Sequence, residues 1–371
     1  MQFRDIIGQE SVKQRLRLSV QEGRIPHAQI LVGPEGVGKL QLAVAYAQYL
    51  NCPHRTDTDS CGVCPTCLQY QNLQHPDLHF AFPIVKTDAG DVCNDFMDLF
   101  RQTLLTQHYF SLDDWYKTMG VETKQGMIYE KESSEILRKL SLKAFGEGYK
   151  VMIVWQPEKM NQVCANKLLK LLEEPPQDTV FLLVSEHPDQ LLSTIISRVQ
   201  QIRVPALSEE ELAAHFSPDI AHIAAGSYLT AKRIAEDNGQ NKQFLADFIA
   251  LMRNAWKVGH QRDYTALQEL RKWSLEMADA KVGRERQKAF LQYALRQVRE
   301  NYIRNLSHPE MNYQTTDEAA FSEKFCPFIH SGNVELLTEE LSLAEQQIAQ
   351  NGNAKIIFFD LCLKMIVHIK K

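Results

Sequence analysis

The chain has 371 residues, 44% of them hydrophobic and 23% charged, a balance that excludes wholesale disorder and predicts two or three globular domains. Its 41 basic and 46 acidic residues give a formal net charge of −5, which excludes coating of nucleic acid through an overall positive field and leaves only a local basic patch for that role. The longest apolar runs, residues 151–155 and 356–359, fall far short of the ~20 residues of a membrane span. The opening Met1-Gln-Phe-Arg-Asp-Ile-Ile-Gly8 reads as folded sequence and not as a leader, so a cytoplasmic protein with no membrane partner is expected.

Ile30-Leu31-Val32 predicts a buried strand running into a glycine-rich turn, and a helical run follows over 40–50. Four of the eight cysteines then fall within sixteen residues, 52–67. The stretch from about 84 to 148 is rich in aromatics, among them Phe96, Phe100, Tyr109, Phe110, Trp115 and Tyr116. It reads as an insertion packed on the sheet and closed by an amphipathic helix over 132–145. Residues 151–154 and 180–184 are continuous apolar strands, the pattern of a parallel sheet covered on both faces. Short helices are expected over 206–240, the first opened by Ser208 and an acidic first turn. From 241 to 371 the chain reads as all helix. Leu267, Leu270, Trp273 and Met277 recur at helical spacing, as do Phe290, Leu291, Ala294, Leu295 and Val298.

Gly33-Pro-Glu-Gly36-Val-Gly38-Lys39 between strand and helix is the core of a phosphate-binding loop. Its glycines let backbone N–H groups turn inward, and Lys39 is the residue that reaches terminal phosphates. The next position calls for a hydroxyl to hold Mg²⁺, and it is Leu40. The strand over 151–154 calls for terminal carboxylates and ends instead in Trp155-Gln156-Pro157-Glu158. No functional magnesium site and no hydrolysis are therefore expected, and ATP or ADP binding is left open. Glu158, two residues past the expected pair, is the only acid near it in sequence, and the rival reading is that Glu158 or Glu173 substitutes.

Cys52, Cys61, Cys64 and Cys67 supply four thiolates at spacings that suit a closed, structural zinc site. A redox Cys-x-x-Cys pair would leave two thiols unexplained. His54 reads as a bystander.

Together these residues resemble the bacterial AAA+ clamp-loader subunits of DNA polymerase III, and within them the delta-prime type. The resemblance is carried by Phe3-Arg-Asp-Ile-Ile-Gly8-Gln9, by Arg24-Ile-Pro-His27-Ala28 before the glycine loop, by the cysteine module, by Asn166-Lys-Leu-Leu-Lys-Leu-Leu-Glu173-Glu174-Pro175-Pro176, by Ser185-Glu186 after the second strand, and by Ser197-Arg198-Val199. It implies an α/β P-loop domain over 1–205, with a parallel sheet, helices on both faces, a zinc module at 52–67 and the insertion at about 84–148. It further implies a small helical lid over 206–240 and an all-α collar over 241–371. Arg198 is then an arginine finger acting on a neighbour's ATP, Gly33, Gly36, Gly38 and Lys39 form a degenerate nucleotide loop, and zinc is structural. Gly226-Ser227-Tyr228-Leu229 lacks the arginine that the family's lid motif carries. The implied role is a non-hydrolysing stator in a hetero-oligomeric ring with gamma/tau and delta subunits, meeting the sliding clamp and primed DNA through the complex. The alternatives are an active gamma/tau-type ATPase and an independent zinc-bearing DNA-binding module. The first calls for Ser or Thr at 40 and acids at 155–156. The second has only Arg55 as a base within the cysteine cluster.

Overall fold

The computed structural model describes residues 1–121, 126–146, 148–236, 239–306 and 311–370. The chain forms two compact units, Met1–Arg233 and Ile234–Lys371.

The first unit is built on five parallel strands: β1 (Ala28–Val32), β2 (Leu78–Ala81), β3 (Lys150–Trp155), β4 (Thr179–Ser185) and β5 (Gln200–Arg203), in the order β2-β3-β4-β1-β5. Every residue of β3 and β4 is buried, as their unbroken apolar runs predict for a sheet covered on both faces. In register, Ile30 of β1 lies between Leu183 of β4 and Gln201 of β5. Sequence periodicity missed β2 and β5. The latter is an edge strand that buries only Ile202 of its Gln-Gln-Ile-Arg, so it carries no apolar run to read.

Helix α1 (Glu10–Gln21) precedes β1, and α2 (Lys39–Asn51) leaves the glycine loop. Residues 39–50 of α2 are all buried, which is why the helix is apolar nearly all round. α3 (Pro65–Gln71) starts inside the cysteine cluster. The aromatic stretch forms α4 (Met97–Gln107), α5 (Leu112–Thr118) and α6 (Glu130–Ser141). It packs against the β2–β3 side through rings: Phe100 stacks on Phe82 at 4.0 Å, and Trp115 meets both edge-on at 5.3 Å. The Trp115 indole N–H donates to the Pro83 carbonyl at 2.8 Å, so the one polar atom of this wedge is satisfied. The helix expected over 132–145 ends at Ser141. The Lys150 ammonium takes the carbonyls of Leu140 and Leu142 and so stops the turn, leaving Phe145 beyond it and 70% exposed.

α7 (Gln162–Glu173) joins β3 to β4, and α8 (Ser193–Ile196) precedes β5. Three short helices follow: α9 (Glu209–Ala213), α10 (Pro218–Ile223) and α11 (Tyr228–Ala235). Ser208 and Glu211 close the capping box at α9 that the sequence predicted. These helices share a small core of Leu207, Leu212, Ala221, Ala224 and Ala231.

The second unit is helical: α12 (Gln240–Trp256), α13 (Tyr264–Met277), α14 (Arg284–Asn305), α15 (Thr316–Phe325), α16 (Val334–Ala349) and α17 (Ala354–Lys370). Its core gathers Phe248, Leu270, Phe290, Leu337 and Phe358. Of the two predicted stripes, Leu267 and Leu295 are half-buried and the remainder are buried. Among the described residues no helix is long and apolar enough to cross a membrane.

Candidate functional site

The glycine loop runs from the end of β1 into the start of α2. Gly36 and Gly38 have φ of 81° and 88°, left-handed backbone that an L side chain adopts only under strain. At Gly36 a Cβ would lie 2.3 Å from Ser227 Oγ. The loop is tied to α11 there, because the Tyr228 N–H donates to the Gly36 carbonyl at 3.0 Å. Gly33 packs against the backbone of Val204.

Lys39 is 5% exposed. Its ammonium donates to the Pro34 carbonyl at 2.5 Å and lies 3.5 Å from a Glu186 carboxylate oxygen. Burial pushes its pKa down, and Glu186 opposes that shift. The cation that a phosphate loop aims at its ligand is thus neutralised from within the chain. Leu40 is buried beside it.

The concave side of the loop is lined by Gly36, Gly38 and Lys39 together with Tyr109, Phe110 and Trp155, and the space left there is about 20 Å³. Trp155, where the magnesium-binding acid was sought, is buried against the Phe110 ring at 5.2 Å. Gln156 is buried in left-handed backbone, φ 56°. Glu158 Oε1 accepts the N–H groups of Glu186 and His187 at 3.0 and 3.1 Å, so this acid caps the turn after β4. Glu173 is paired with Arg198. Neither acid that might have replaced the missing pair lines the cavity.

Arg198 follows α8 and is partly exposed. Its guanidinium meets Glu173 at 2.5 Å through one nitrogen and at 2.6 Å through Nε, and it also donates to the Thr194 carbonyl and Ser197 Oγ at 2.9 and 3.2 Å. It is not part of the lining of the loop cavity.

Cys52, Cys61, Cys64 and Cys67 converge at the far end of α2. Their four sulfurs lie within 4.8 Å of one another, and Cys61 Sγ is 3.8 Å from Cys67 Sγ. With Zn–S bonds of about 2.3 Å a tetrahedral site requires sulfurs ~3.8 Å apart, so the donor set fits zinc and is far from disulfide contact. The N–H groups of Cys61, Cys64 and Cys67 donate to the sulfurs of Cys52, Cys61 and Cys64 at 3.3–3.4 Å, the second layer that favours thiolates. Backbone N–H groups of Val63 and Cys64 bring the Cys61 thiol down to about 6, while burial raises Cys52 and Cys67. The module is pinned to the first turn of the chain. Asp59 accepts the N–H groups of Phe3 and Arg4, and Gln2 donates to the Ser60 carbonyl. His54 is not among the clustered ligands.

The sequence assigns no chemistry to Tyr109, Phe110, Asp114 or Arg233, yet Tyr109 and Phe110 line the loop cavity and Arg233 bridges Asp114 to Glu35 of the loop. The only sequence signal was the density of aromatics in the insertion, which does not say which ring turns where.

A family described as DNA polymerase III, delta subunit, matches residues 8–208. The delta-prime subunit of DNA polymerase III from Bacillus subtilis is 26% identical over 261 residues, 68% of this chain and 66% of its own. The tau/gamma subunit from Haemophilus influenzae is 28% identical over 221 residues, 60% of this chain and 26% of its own. The chain therefore spans about two thirds of the delta-prime relative and about a quarter of the tau/gamma one. A solved DNA polymerase III gamma-subunit-related protein from Thermotoga maritima aligns over 96% of this chain and 99% of its own, with 14% identity and a TM-score of 0.43, too loose a likeness to carry an argument.

Proposed function

The chain belongs to the DNA polymerase III delta-subunit family of clamp-loader subunits, and from that premise we propose that it is a delta-prime-like stator that hydrolyses no ATP itself. The observation that carries this reading is the state of the glycine loop. Lys39 is held by Glu186, Leu40 and Trp155 stand where magnesium would be held, and about 20 Å³ remains. Phosphoryl transfer is mainly positioning and charge stabilisation, so a site whose lining carboxylate, Glu186, is taken up by Lys39, and whose expected magnesium-binding hydroxyl and acids are replaced by Leu40, Trp155 and Gln156, is poorly equipped for transfer.

In this reading the chain works in the cytoplasm within a ring of gamma/tau and delta subunits. It supports loading of the sliding clamp on primed DNA, and it presents Arg198 to a neighbour's ATP. The four cysteines hold one structural zinc, whose contribution is to the fold of the 52–67 loop. The helices α12–α17 serve as a collar.

Likeness to tau/gamma subunits favours a second reading, an active ATPase of that type. Reconstitution with gamma/tau and delta, followed by clamp-loading assays with and without this chain, tests the stator role. Turnover by the isolated chain that disappears on Lys39→Ala establishes the second reading instead.

A further inference from the structure

We propose that the insertion supplies a permanent occupant for the chain's own glycine loop: Tyr109 and Phe110 fill the nucleotide cradle, and Arg233 holds them in. This rests on and deepens the non-hydrolysing reading, because it gives a loop that keeps its glycines and lysine an occupant from within the chain in place of nucleotide. Tyr109 and Phe110 join α4 to α5 and are 6% and 8% exposed. The Tyr109 ring lies over the loop, close enough that a Cβ on Gly38 would come within 3.0 Å of its hydroxyl. That hydroxyl accepts the Ile7 N–H at 3.3 Å, and the ring meets Tyr228 of α11 at 4.6 Å. Gln41 of α2 donates to the His108 carbonyl, and Phe110 packs on Trp155. One segment therefore touches the loop, the first helix after it, the N-terminal segment and α11.

The segment is also fastened at its exit. Ser111 and Asp114 form the capping box of α5. The Arg233 guanidinium from α11 donates to Ser111 Oγ at 2.9 Å and to Asp114 at 3.1 Å, and lies 3.4 Å from Glu35 of the loop itself. About 20 Å³ is the space of roughly one water, and a nucleoside diphosphate needs an order of magnitude more. Binding would require the buried aromatic pair to leave its pocket, and that cost falls entirely on the ligand.

The test uses the full-length chain and equilibrium binding of a fluorescent ADP analogue and of Mg-ATP. Wild type is expected to show no saturable binding up to about 1 mM. Tyr109→Ala, checked for fold by circular dichroism and thermal melting, is expected to bind at least about tenfold tighter. That gain should vanish when Lys39→Ala is added. Wild-type binding in the micromolar range overturns the proposal, and so does a folded Tyr109→Ala that binds no better than wild type. If Tyr109→Ala does not fold, Tyr109→Phe decides: loss of the hydroxyl alone should speed hydrogen exchange at the Ile7 amide by about tenfold. An unchanged Ile7 rate overturns the docking. Because the assay reads binding by the isolated chain, its failure leaves the stator role to be judged separately in the assembled complex.

Discussion

Arg198 and Lys39 are both cations beside carboxylates, and burial separates their roles. Lys39 is 5% exposed and closed in with Glu186, whereas the Arg198 side chain is 35% exposed and shares Glu173 with solvent. A surface pair of this kind contributes about 0–1 kcal/mol. Arg198→Ala should therefore lower the stability of the isolated chain by less than ~1 kcal/mol and leave assembly with gamma/tau and delta intact. The DNA- and clamp-stimulated ATPase of the assembled complex is expected to fall. An arginine supplied in trans is worth ~10³-fold at a single site, and if Arg198 serves one neighbouring site among several a partial loss is the expected result. Arg198→Lys should not fully rescue, since an ammonium cannot reproduce the planar fork of donors. A mutant complex that hydrolyses ATP at the wild-type rate shows Arg198 to be structural.

At the scale of elements, the cysteine module and β2 each make a measurable claim. Cys52 ends α2 and Cys64 caps α3, so a zinc held by the four sulfurs would fix both helix ends and the Asp59 contacts to the first turn, and its removal would free them. Purified protein should contain one zinc per chain. Cys67→Ser should release it and cost on the order of 4 kcal/mol, read from chemical denaturation with metal analysis alongside. In β2, burial holds His79 neutral, with Lys139, Lys150 and His75 adding to the effect, and its pKa is pushed down from 6.5 to about 4. The unfolded chain then binds a proton near 6.5 that the folded chain refuses until about 4, so stability falls as the pH drops through that window. His79→Gln should flatten that fall relative to wild type in melts taken across the window; parallel curves would remove His79 as the cause. The same elements show what was legible beforehand. β3 and β4 announced themselves as apolar runs and the cysteines by spacing, because each signal is local. The seating of Tyr109 against Gly38 was not legible, since it joins residues about seventy apart through packing, and edge strand β5 was not, since one buried residue makes no pattern.

At the scale of the molecule, the chemistry-bearing residues and the helical bundle belong to different compact units. The cradle, the four cysteines and Arg198 all lie in Met1–Arg233, whose core surrounds the sheet; Ile234–Lys371 has its own core of Phe248, Leu270, Phe290 and Phe358. A unit with a separate core can unfold separately. Phe358 is fully buried and meets Trp273 edge-on at 6.0 Å, so Phe358→Ala leaves a ring-sized cavity and should cost ~3–5 kcal/mol. Calorimetry of the full chain is expected to show two transitions, with the variant lowering only one of them, by on the order of 10 °C. Zinc content and the exchange protection of Ile7 should stay at wild-type values. A single transition that moves as a whole would mean the two cores melt as one. If the transitions are separate, the variant also divides the proposed roles. An assembly defect with an intact first unit assigns ring contacts to α12–α17, whereas an ATPase defect without one assigns nothing to them and returns the question to Arg198.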